Sequence, residues 1–176
     1  MNILRLVQFW RSCLDSGLSG HDAIADVRRP RHSGRMIGKL TLRYEFTNDP
    51  ADDFGWLALE VVGDGFAGRG GFWVQWQDIA EFGESLSTYP IPADAPLKVQ
   101  WGFEMQEGED LRLSIEVGPA NATGDLYVQG EVADYNNPKQ RVRTSFLTNY
   151  PELEAFRVSI AKLMNRTANE ASLSGR

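Results

Sequence analysis

Cysteine and histidine are almost missing from this chain. Cys13 is its only cysteine, so no disulfide can form within it and a cysteine-based zinc site is excluded. The two histidines, His21 and His32, stand near the start, and residues 36–176 contain none. That removes Ser-His-Asp and Cys-His triads, histidine general bases and histidine-ligated zinc from this stretch. Long apolar runs are missing too: none reaches the roughly 18 residues that would cross a bilayer. Residues 1–14 are broken by Arg5 and Arg11 and lack the apolar centre of a signal peptide. The expectation is a cytoplasmic protein with no membrane span, no cofactor, no metal and no catalytic residue to name, and a binding role rather than an enzyme, with carboxylate chemistry, which needs only Asp and Glu, left open.

Positive charge is scarce where it would matter for nucleic acid. Residues 36–168 hold 11 Lys/Arg against 20 Asp/Glu, whereas residues 1–35 hold six Arg against three Asp. An acidic body repels phosphates and attracts a basic partner, so nucleic acid is not expected as a ligand. Net acidity is also an ordinary means of staying in solution.

The composition changes near residue 35. Ile3, Leu6, Val7, Trp10 and Leu14 have the spacing of a short amphipathic helix. Residues 16–35 read as a flexible basic linker, and Met36, at the edge of the strand pattern, is a candidate translation start. The expected organisation is therefore a basic segment over 1–35, one domain over 36–168 and a disordered tail over 169–176.

Within the domain, Leu40, Leu42, Tyr44 and Phe46 alternate with polar residues as a half-buried strand does. Residues 56–62 read as a second strand. The glycines at 63, 65, 68, 70 and 71 read as a connection to a third strand over 72–76. Asp78, with Glu81 three residues on, is a candidate N-cap for a helix over 77–88 carrying Ile79, Phe82 and Leu86 on one stripe. Pro90, Pro92 and Pro96 end it. Four further strands follow with short connections, an antiparallel meander, and a closing helix begins at Asn149 with Pro151 in its first turn. The predicted fold is α+β: a single antiparallel sheet of about six to seven strands with two helices packed on one face.

The glycine cluster has no Gly-Lys-Ser/Thr and does not precede a helix, so it is no phosphate loop. Asp49, Asp52 and Asp53 lack the alternating spacing of a calcium loop and fit a turn around Pro50. Glu104, Glu107, Glu109 and Asp110 fit a hairpin tip. Phe72 and Trp73 are adjacent on one strand, so they point to opposite faces. Either one is exposed or both faces of the sheet are covered. An exposed tryptophan beside acidic turns is what a protein-binding surface offers. Trp73 and the two acidic groups are the candidate partner-binding residues.

The order of elements resembles a known group. An acidic loop leads into Trp56-Leu57-Ala58-Leu59-Glu60-Val61. A tryptophan precedes the short helix Trp76-Gln77-Asp78-Ile79-Ala80-Glu81-Phe82. The strand Leu113-Ser114-Ile115-Glu116-Val117-Gly118 follows, and a strand and helix close the chain at 150–164. Over residues 38–165 this looks like the WapI-type immunity proteins and related bacterial domains of polymorphic toxin systems. The resemblance implies a cytosolic antitoxin that binds a cognate toxin domain and blocks it, and it brings no catalytic residues; the acidic charge of the domain would steer a basic toxin toward it. Two alternatives stand beside it: an enzyme or small-molecule binder that uses carboxylates and aromatics, and a subunit of a larger assembly.

Overall fold

Among the described residues, period-two alternation builds most of the strands, and two helices complete the layers. The computed structural model describes residues 38–49, 51–103 and 111–176. The chain divides into two units, Met1–Ser33 and Gly34–Arg176. All the described residues belong to the second; the expected amphipathic segment, basic linker and start at Met36 lie outside them.

The element order is β1 (Lys39–Phe46), β2 (Phe54–Gly63), β3 (Phe66–Gln75), α1 (Trp76–Ser85), β4 (Leu97–Gly102), β5 (Leu111–Pro119), β6 (Asp125–Ala133), β7 (Arg141–Asn149), α2 (Tyr150–Met164) and β8 (Ala171–Ser174). The α+β class is as expected, but the single sheet is not. Two antiparallel sheets form, with strand orders β3-β2-β1-β8 and β4-β5-β6-β7. The physical reason lies in burial. Leu40 and Leu42 pair across the first sheet with Val61 and Leu59, and Leu113 and Val117 pair across the second with Val132 and Val128. All are buried. Two apolar sheet faces of this kind cover each other.

The sheets approach closely where side chains are small. Inward positions along β3 run across the ends of the second sheet. A Cβ at Gly68 would lie 2.6 Å from Val132 Cγ2 and 2.7 Å from Val142 Cβ, and two residues on, Gly70 faces the Ala133 carbonyl and Leu113. Phe72, two further, meets the ring of Phe103 at 5.0 Å between centroids. These glycines were expected in a connecting loop. They lie inside β3 instead, and the turn is only Asp64-Gly65, with Gly65 at φ +80°. Gly68 is in a strand because the sheet opposite leaves no room for a side chain.

The last eight residues correct a further expectation. Residues 171–174, placed in a disordered tail, form β8 against β1, with Leu173 opposite Leu40 and fully buried. Beyond it, Gly175 N–H donates to the Gly38 carbonyl at 2.7 Å and Arg176 N–H to the Leu147 carbonyl at 3.0 Å. Thr148 Oγ1 donates to the Ser174 carbonyl at 2.8 Å. One edge of the first sheet is thereby tied to β7 of the second.

The helices complete the core. Leu153, Phe156, Ile160 and Leu163 of α2 and Ile79 and Phe82 of α1 are buried, and Gly83 abuts Ile160. Asn149 caps α2 as expected, its side chain accepting from Glu152 N–H at 3.0 Å. For α1 the expected cap fails. Gln75 occupies the N-cap position without a side-chain bond, and Asp78 stands in the first turn, where a carboxylate favours the helix end. No helix among the described residues is long and apolar enough to cross a membrane.

Candidate protein-binding face

The outer side of the first sheet carries Trp56 and Trp73, two aromatics that the core does not use. In register across three strands stand Glu45, Trp56 and Trp73. Phe72 turns inward and is buried while Trp73 is 38% exposed, which settles the choice posed by their adjacency. Trp56 lies across Gly71, where a Cβ would fall 2.5 Å from the indole. Its ring meets Trp73 edge-on at 5.6 Å and Tyr135 at 5.6 Å. Tyr135 in turn meets Phe72 at 6.3 Å and Phe103 at 6.4 Å. The Arg112 guanidinium sits 5.5 Å from the Phe103 ring centre. Rings thus run without a break from the outer face of the first sheet, past β3, to the end of β4.

Phe54 and Trp76 extend this surface toward the acidic turn. Both are exposed. Trp76 N–H donates to the Asp53 carbonyl at 3.1 Å, which holds the start of α1 against the turn. Within the turn, Asp49 Oδ1 accepts from Ala51 N–H and Asp52 Oδ1 from Phe54 N–H, both at 2.9 Å. These are side-chain-to-backbone turns of the kind anticipated from the sequence, and each leaves acceptor capacity on an exposed carboxylate. Their field reaches inward. Tyr44, whose hydroxyl donates to the Val74 carbonyl at 2.8 Å, has its pKa pushed up to about 12 by burial first and then by the charges of Asp52, Asp78 and Asp53. Asp78 itself is raised by burial and by Glu81.

Of the candidate residues, Asp49, Asp52 and Asp53 are thus gathered at one end of the first sheet, the end to which Trp73 belongs. Glu104, Glu107, Glu109 and Asp110 lie outside the described residues; the strands that flank them end at Gly102 and begin again at Leu111. Phe54, Trp76, Phe103 and Tyr135 were not singled out from the sequence as partner-binding residues. Tyr135 carried a signal: it sits in Asp134-Tyr135-Asn136-Asn137-Pro138, a run of turn formers. Asp134 Oδ1 accepts from Asn136 and Asn137 N–H at 2.9 and 2.7 Å and fixes that turn beside β3.

Among the described residues no three His, Cys, Asp or Glu side chains gather as a metal site. One cleft, beside the end of α2, has no carboxylate in its wall. In another, between the loop after α1 and the β5–β6 turn, Asp125 is engaged by Asn121 and Arg176. No family model matches the chain, and no curated protein matches it.

Proposed function

We propose that this chain is a protein-binding domain whose docking face is the exposed aromatic surface around Trp73, bordered by the Asp49–Asp53 turn. The observation that carries the reading is the run of half-exposed rings, Trp73, Phe54, Trp76, Tyr135 and Phe103, beside exposed carboxylates. Large rings fixed by their neighbours lose little side-chain freedom on binding and bury much apolar area, which is why they dominate interface energies. Carboxylates at the border select a basic partner and speed its approach in a salt-dependent way. The most specific form of this reading is an immunity protein that neutralises a cognate bacterial toxin, as the element order suggests. A carboxylate-based enzyme draws no support from the clefts.

The test is capture of partners from the source cell by the tagged full chain, at low and high salt, followed by titration of the captured protein against variants. Trp73→Ala should weaken binding by tenfold or more, about 1.4 kcal/mol or above. The double charge reversal Asp52→Lys, Asp53→Lys should slow association at low salt and have little effect at high salt. A captured protein bound equally well by both variants would sink this face as the docking site. If the captured partner is not toxic when expressed alone, or remains toxic beside this chain, the immunity reading fails.

A further inference from the structure

We propose that the cleft at the C-terminal end of α2 binds a planar carboxylate, with Arg166 as its anchor. The cleft has a volume of about 310 Å³, at the small end of ligand-sized sites. Its wall includes Tyr44, Phe46, Asn48, Leu163, Arg166 and Asn169.

Arg166 is the only described residue other than glycine at positive φ, at 59°. It occupies the position just after α2 where glycine is favoured, because a Cβ is strained there. Its guanidinium lies 4.2 Å above the Phe46 ring. Stacking on one face leaves the edge of the fork, which is the part that matches both oxygens of a carboxylate. Among the described residues no carboxylate pairs with it.

The electrostatics around the cleft permit an anion. The C-terminal end of a helix ordinarily repels one, but here the Ala161, Leu163 and Lys162 carbonyls accept from Asn165, Arg166 and Thr167 N–H at 3.0, 3.1 and 2.9 Å. Lys162 adds positive charge in the last turn. Glu170, next to the wall residue Asn169, is held by Arg43 at 2.8 Å. The carboxylates that act on Tyr44 belong to Asp52, Asp53 and Asp78, and none of these lines the cleft. The rings of Tyr44 and Phe46, 4.7 Å apart, and the Leu163 side chain give the ligand an apolar flank, while Asn48 and Asn169 supply amides. The ligand class is thus a carboxylate with an apolar or aromatic body. A free small acid and the C-terminus of a peptide share that chemistry.

The test is an NMR titration of the full chain with sodium benzoate, N-acetylphenylalanine and inorganic phosphate at matched ionic strength. Benzoate should give saturable shifts at Arg166 and Phe46 with a Kd on the order of 1 mM. A tighter response to N-acetylphenylalanine assigns a peptide C-terminus, and a weaker one assigns a free acid. Arg166→Gly should cut benzoate affinity tenfold or more while leaving the melting temperature unchanged or higher, since glycine relieves the backbone. Arg166→Lys keeps the charge without the fork and should recover only part of the affinity. The proposal is overturned if Arg166→Gly binds benzoate as well as the parent chain, if benzoate gives no saturable shift, or if phosphate binds more tightly.

Discussion

Two borders of the sandwich are closed by different means. At the β8–β7 border, hydrogen bonds to the main chain do the work: Arg176 N–H donates to the Leu147 carbonyl and Thr148 Oγ1 to the Ser174 carbonyl, beside a fully buried Leu173. At the β3–β4 border, rings do it: Phe103 meets Phe72 edge to face, Tyr135 lies tilted against both, and Phe103 and Tyr135 stay half-exposed. Main-chain closure satisfies donors and acceptors that would otherwise be stranded at a sheet edge, and it leaves little there for a partner to use. Closure by rings leaves apolar area half-exposed, which costs little stability and keeps a surface for binding.

The strongest way to break this comparison is at the main-chain border. Leu173→Ala empties a site that has no access to water and pairs with Leu40 across the strands. The cost should be about 2–5 kcal/mol, read as a lower midpoint in urea unfolding. A loss of only a few tenths would mean that β8 is not part of the cooperative structure.

A smaller effect sharpens the ring-closed side, where the acidic turn meets the core at Tyr44. Its pKa stands near 12 in the folded chain against an ordinary 10.0. Between those values the unfolded chain has released its proton while the folded chain keeps it, so stability falls as pH rises and is fully present below about pH 10. Solvent screens the Asp52, Asp53 and Asp78 contributions, so the total loss should be about 1–2 kcal/mol. Tyr44→Phe should be slightly less stable at neutral pH, having lost the bond to the Val74 carbonyl, but should lack this alkaline component. Unfolding curves for the two proteins between pH 9 and pH 12, about the range over which Tyr44 titrates, separate the cases.

The contrast also explains what could be read from the sequence. Alternating Leu40, Leu42 and Tyr44 specify a strand, and Asn149 with Pro151 specifies a helix start, because each signal is local. Trp73 was legible as a surface residue for a similar reason: its neighbour Phe72 claims the other face. Ala171-Ser172-Leu173-Ser174 is too short and too polar to announce a strand. What orders it is an empty edge on β1, created by residues far away in the chain. Gly68 and Gly70 misled for the same reason. Glycine in a strand looks like a loop until the side chains of Val132 and Val142 occupy the space where its own would be. The division into two sheets follows from that crossing, which no alternation pattern encodes.

Trp73→Ala should cost less stability than Leu173→Ala although it removes the larger side chain. The indole is 38% exposed and touches Trp56 only edge-on. Losing that pair should cost about 1 kcal/mol, within the range of an aromatic contact. A thermal melt beside the binding titration distinguishes two accounts of the residue. A small change in melting temperature with a tenfold loss of affinity places Trp73 at the interface, held in position by Trp56 and serving the partner. A stability loss as large as that of Leu173→Ala would make the ring part of the core. The half-exposed border would then be a structural seal, and the comparison between the two borders would dissolve.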